Sequence, residues 1–123
     1  MRITYRIRTD GDIRLGYAAD QIILNWSRDE MELRVNGGPV DRQHVTGGGS
    51  IPKNEFLTVV QTVLPDRMII TVNGIERAVW KADFSEVDEQ VRVFPHQSTI
   101  SVKKIVVEPG VEVAQVREKK KRG

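Results

Sequence analysis

The chain has 123 residues, 39% hydrophobic and 29% charged, which is one domain long enough for a packed core and too apolar for a disordered polymer. It contains no cysteine, excluding a disulfide framework and Cys-based zinc sites, and no apolar run approaches the roughly 18 residues that span a bilayer. The net charge of +2 comes from residues 117–123 (REKKKRG), which hold five of the 19 Lys and Arg and one of the 17 Asp and Glu. The other 116 residues therefore carry 14 basic and 16 acidic side chains. A body of net −2 gives no reason to expect a nucleic-acid partner. The opening MRITYRIRTDGD alternates and is charged, unlike a secretory leader, so a cytoplasmic location is expected unless the chain is a piece of an exported protein.

In chain order the pattern is one of short strands. Ile3, Tyr5 and Ile7 alternate with Arg2, Thr4, Arg6 and Arg8 as in a half-buried strand. Asp10-Gly11-Asp12 makes a turn, and Ile13, Leu15 and Tyr17 follow on one face. From Gln21 to Trp26, alternation places Ile22, Leu24 and Trp26 together in the core, with Ile23 and Asn25 opposite. After the loop Ser27 to Glu30, the strand Met31 to Val35 returns, setting Trp26 beside Met31 and leaving Asn25, Glu32 and Arg34 on the polar side. Val40 to Ser50 reads as a loop containing His44 and Gly47-Gly48-Gly49.

The strand from Phe56 to Val63 and the turn Leu64-Pro65-Asp66-Arg67 lead into RMIITVNGIERAVW. Its Asn73-Gly74 dipeptide is a strong hairpin signal, because a type I′ turn needs φ > 0 at both central residues. A two-residue loop pairs Val72 with Ile75, Ile70 with Arg77 and Met68 with Val79. Ile69, Thr71, Glu76, Ala78 and Trp80 then take the other face, leaving Trp80 partly exposed. Residues 81–90 read as a crossover loop anchored by Phe84, with Ser85 a candidate cap for one helical turn. Val91 to Val93 is a short strand. In the last strong strand, Thr99 to Val107, the doubled Lys103-Lys104 shifts the apolar phase and indicates a β-bulge. Val111 to Val113 is a weak edge. About nine strands at spacings of roughly 8–12 residues predict an all-β antiparallel two-sheet sandwich or jelly roll. The expected domain is residues 1–113, followed by a basic, disordered tail at 114–123.

The order GDIRLGYAADQIILNWSRDEMELRVNGG, a glycine loop, FLTVVQTVLPDRMIITVNG and STISVKKIVVEP resembles the concanavalin A-like lectin/glucanase sandwich. Within that group it is similar to small bacterial lectin-like domains of the keto-disaccharide hydrolase and laminin-G-like type, over residues 2 to 109. The resemblance implies a jelly roll and a carbohydrate ligand. The enzymes of that group carry E-x-D-x-x-E. Here Glu86-Val87-Asp88-Glu89-Gln90-Val91 begins the pattern but ends on Val91, so the carboxylate pair that hydrolysis requires is incomplete. The galectin patterns fail too: His44 is followed by Val45-Thr46, and Trp80 by Lys81-Ala82-Asp83.

The residues therefore point to a non-catalytic, lectin-like module with no required cofactor. A sugar ring packs its C–H face on an exposed indole, which makes Trp80 the candidate platform. Planar groups on a polar face suit hydroxyls or carboxylated glycans, which makes Arg14, Asn25, Glu32 and Arg34 candidates beside Arg6 and Arg8. His44 is carried with them. It stands 52 positions from His96, and that separation does not suggest a metal site. Calcium held by loop carboxylates such as Asp66 or Asp83 is allowed by the fold, but the sequence supplies no ligand set. The alternatives are a structural or protein-interaction module, packing its arginine face on a partner or on a second copy, and a glycoside-processing domain.

Overall fold

The structure, a computed structural model, describes residues 1–110. The expected edge at Val111 to Val113, the boundary at residue 113 and the expected disorder of 114–123 lie outside the described residues. Within them every regular element is a β-strand: β1 (Arg2–Thr9), β2 (Ile13–Leu15), β3 (Gln21–Leu24), β4 (Glu32–Asn36), β5 (Val45–Thr46), β6 (Leu57–Leu64), β7 (Arg67–Val72), β8 (Ile75–Lys81), β9 (Val93–Phe94) and β10 (Ile100–Glu108). Among the described residues no helix is long and apolar enough to cross a membrane. Two five-stranded antiparallel sheets form, ordered β10-β1-β6-β7-β8 and β5-β4-β3-β2-β9. Their inner faces pack against each other, as the sandwich expectation required.

Alternation supplies that core. On the first sheet Ile3, Tyr5, Ile7, Leu57, Val59, Met68 and Ile70 are fully buried, and on the second Ile13, Leu15, Ile22, Leu24, Leu33 and Val35 face them. One polar path crosses the core. The Tyr5 hydroxyl donates to Gln61 Oε1 (2.9 Å), and Gln61 Nε2 donates to the Tyr17 carbonyl (2.8 Å), so the buried amide is satisfied at both ends. Burial, and then the neighbouring Tyr17, push the Tyr5 phenol far above its ordinary range. Phe84 is 3% exposed, and its N–H donates to the Pro65 carbonyl, so it anchors the β8–β9 loop as expected. That loop contains no helical turn. Ser85 sits in a turn, donating its N–H to the Asp83 carboxylate.

Two one-residue irregularities decide which side chains face the core. The Asn73-Gly74 turn forms with φ of 50° and 80°, and Val72 opposes Ile75 as expected. The register then shifts, because Thr71 opposes Glu76 while Ile70 opposes Ala78. Arg77 is the extra residue of a bulge, so Ala78 and Trp80 turn inward and Val79 turns out. On β10 the expected bulge is present: Arg6 opposes Lys104 and Ile7 opposes Val102, leaving Lys103 unpaired with β1.

Candidate functional site

The Arg77 bulge removes the expected platform. Trp80 is 4% exposed and its indole N–H donates to the Gln43 carbonyl at 2.8 Å, so neither ring face is open to a ligand. The other tryptophan has moved the opposite way. Asn25 has φ of 57°, a left-handed conformation that Asn tolerates better than most residues, and the β3 alternation ends there. Asn25 turns inward, 3% exposed. Its Nδ2 donates to the Gly11 and Ile51 carbonyls and its Oδ1 accepts from the Ile51 N–H. Asn25 is therefore a loop clamp with its amide fully used, not a contact residue. Trp26, expected in the core, is only half-buried, and Met31, expected beside it, is 55% exposed.

What surrounds Trp26 is a row of planar groups across the outer face of the second sheet. Ile23 of β3 opposes Arg34 of β4 on one side and Arg14 of β2 on the other, and Arg14 in turn opposes Phe94 of β9. The Arg34 guanidinium lies 4.1 Å from the centre of the Trp26 ring, and Arg92 lies 5.7 Å from that of Phe94. Ile23 is 1% exposed although it points away from the inter-sheet core. It sits between Arg34, whose side chain is 30% exposed, and Arg14, whose side chain is only 11% exposed, and stems of this length cover apolar surface.

The guanidiniums are held in place. Arg14 donates through Nε to Asp12 (2.8 Å) and through Nη1 to Gln21, and Arg34 donates to Glu32 at 3.4 Å. Asp12 is a buried anchor that also accepts from Ser98 Oγ and the His96 N–H. Burial by itself would raise its carboxyl. The hydrogen bonds from Ser98, Arg14 and His96 outweigh it and hold the group below the usual carboxylate value. Of the expected contact residues, Arg14, Glu32 and Arg34 do share this face. Arg6 and Arg8 do not. They belong to the first sheet, on its opposite outer face, where their guanidiniums and the Lys103 ammonium lie 5.1–6.0 Å from the Phe56 ring.

His44 is a scaffold residue. Its Nδ1 accepts from the Val35 N–H at 3.0 Å, tying the glycine loop to β4. That loop is closely packed. Gly48 and Gly49 are buried, a Cβ on Gly48 would lie 2.7 Å from the Arg77 carbonyl oxygen, and Arg77 donates to the Gly48 and Ser50 carbonyls.

A shallow depression of ≈ 330 Å³ lies at one end of the sandwich and is bordered by Asp20, Asp83, Glu86, Asp88 and Glu89. Its border includes Glu86 to Glu89 of the EVDEQ stretch, which is loop as expected. Two of these carboxylates serve the loops themselves: Glu89 accepts from the Ala18 N–H, and Asp83 from the Ser85 N–H and hydroxyl, which hold its carboxyl low. Burial and then Glu89 and Asp88 raise the nearby Tyr17 phenol. Among the described residues no group of three or more His, Cys, Asp and Glu is placed to hold a metal ion, so neither Asp66 nor Asp83 is part of one.

Sequence reasoning missed Trp26, Asp12, Gln21 and Phe94. The available signal for the first was Asn25 itself, a residue suited to break the alternation. No signal marked Phe94, because its place depends on β9 reaching back across some 80 positions to pair with β2. The chain matches no family model, no curated protein and no solved structure.

Proposed function

We propose that this protein is a non-catalytic binding module that takes a carbohydrate on the outer face of its second sheet. The observation that carries the reading is the row Trp26, Arg34, Ile23, Arg14, Phe94, in which two guanidiniums held by neighbouring acids and amides lie between two aromatic rings. Such a row offers a sugar both things it needs: aromatic surface for its C–H face and planar donors for vicinal hydroxyls or a carboxylate. Side chains locked by Asp12, Gln21 and Glu32 lose little further freedom on binding. The lectin-like resemblance of the sequence supports the same reading from the fold side, as analogy.

The test is a broad glycan array probed with the wild-type protein, Trp26→Ala and Arg34→Ala. Binding by the wild type, reduced about tenfold or more in either variant, is expected from the loss of roughly 1.4 kcal/mol of stacking or charge-assisted hydrogen bonding. Tryptophan emission should respond to the sugar in the wild type and not in Trp26→Ala, since Trp80 is enclosed. An array without signal, or binding that neither substitution changes, rejects the carbohydrate reading of this face.

A further inference from the structure

We propose that two copies of this chain associate through β10, pairing antiparallel about Val106 so that their first sheets join into one ten-stranded sheet. The inference concerns a different surface from the carbohydrate face and does not depend on what that face binds.

Among the described residues four strands form the sheet edges, and three of them are blunted. β5 and β9 are two residues long. β8 carries the Arg77 bulge and is tied to the glycine loop by Arg77 and Trp80. β10 is nine residues long and pairs only with β1 among the described residues. Its other side therefore offers a row of main-chain donors and acceptors, the template for strand addition. The bulge interrupts that row at Lys103 but leaves Lys104 to Glu108 beyond it.

Apolar surface marks the same strand. Val102, Ile105 and Val107 are 44%, 40% and 43% exposed, and they are three of the six large hydrophobics so exposed among the described residues. They oppose Ile7, Tyr5 and Ile3, all fully buried, so they lie on the core-facing side of the sheet. The second sheet ends in the two-residue β9 and does not reach over them.

The sequence of β10 is self-complementary in one register. With Val106 opposite its own copy, Ile105 meets Val107 on the inner face, and on the outer face Lys104 meets Glu108, whose carboxylate also carries the fork from Arg2 of its own chain, each contact occurring twice by symmetry. Apolar pairs match apolar pairs and each cation meets an anion, the arrangement that stabilises cross-strand neighbours. Shifting the register by two residues, with Lys104 or Glu108 on the axis, sets like charges against each other.

Sedimentation equilibrium from about 1 μM to 1 mM, the range of a small interface, is expected to show the mass rising from 14.0 kDa toward twice that value. Lys104→Glu and Glu108→Lys should each weaken association about tenfold by placing like charges opposite each other. Combining the two substitutions should restore it. Circular dichroism melts confirm that each variant is folded. The chain has no cysteine, so Val106→Cys gives an independent reading: opposed strands hold the two Cα atoms within disulfide reach, and oxidation should yield a covalent dimer. Val60→Cys, two strands inside the edge, should not. A monomer throughout the concentration range overturns the proposal. So does a dimer unaffected by the single charge changes, a double variant that stays weak, or a Val106→Cys protein that does not cross-link.

Discussion

Asn25 carries two roles that a different side chain cannot combine: a backbone at φ 57° and an amide that satisfies Gly11 and Ile51 inside the loop cluster. Asn25→Ala is expected to lower stability by about 3 kcal/mol in urea titrations, the sum of orphaned buried carbonyls and the left-handed penalty. Asn25→Gly should recover only the backbone share, about 1 kcal/mol. Asp12 makes a second residue-scale prediction, this time in pH. Its carboxyl titrates lower in the folded protein than in the unfolded chain, so the stability it contributes is fully present above its unfolded value of about 3.9. That contribution is lost as pH falls through the lower folded value. Asp12→Asn should therefore be less stable than wild type at pH 7 by about 1–3 kcal/mol, and the gap should narrow below about pH 4. A gap that stays constant down to pH 2.5, on the same scale, would contradict the assignment.

At the level of strands, positions are legible in the sequence and phase is not. Period-two alternation, Asn73-Gly74, Pro65 and the Lys103-Lys104 doubling mark the strands and their turns, and the β10 bulge, because each has a local cause in the residues themselves. The bulge at Arg77 has none. Arg77 leaves the ladder to reach carbonyls of Gly48 and Ser50 almost 30 positions earlier, so its cause is tertiary. A slip of one residue exchanges the faces of everything beyond it, which turns Trp80 inward, whereas Trp26 leaves the side that simple alternation gives it because the left-handed Asn25 ends the β3 pattern. Arg14, Glu32 and Arg34 keep their expected face because they lie inside uninterrupted strands. The glycine loop that receives Arg77 is itself closely packed, since a Cβ on Gly49 would run into the Glu32 carbonyl. Gly49→Ala should cost about 2 kcal/mol or more. Gly74→Ala, with nothing within 4 Å of its added Cβ but φ of 80°, should cost about 1 kcal/mol. Denaturant midpoints of the two variants decide the ranking.

Across the whole molecule, β1 is held between β10 and β6, so the first strand of the chain completes its pairing only when the last described strand is in place. Arg2 of β1 sits opposite Glu108 of β10 and binds it through both nitrogen–oxygen contacts of a fork, at 3.0 and 3.1 Å. Folding must therefore close a loop of about a hundred residues before that pairing gains anything, a topology associated with millisecond-to-second rates. The same closeness means that connectivity and architecture are separable here. Removing residues 111–123, joining residue 110 to residue 1 with a short glycine–serine linker, and opening the exposed Pro52-Lys53 peptide instead, would turn β10 and β1 into an ordinary hairpin. No existing hairpin is lost, since that peptide only connects one sheet to the other. Such a circular permutant should reach the same sandwich with a faster refolding limb in stopped-flow and a nearly unchanged unfolding limb: lower contact order with the strand pairings left in place.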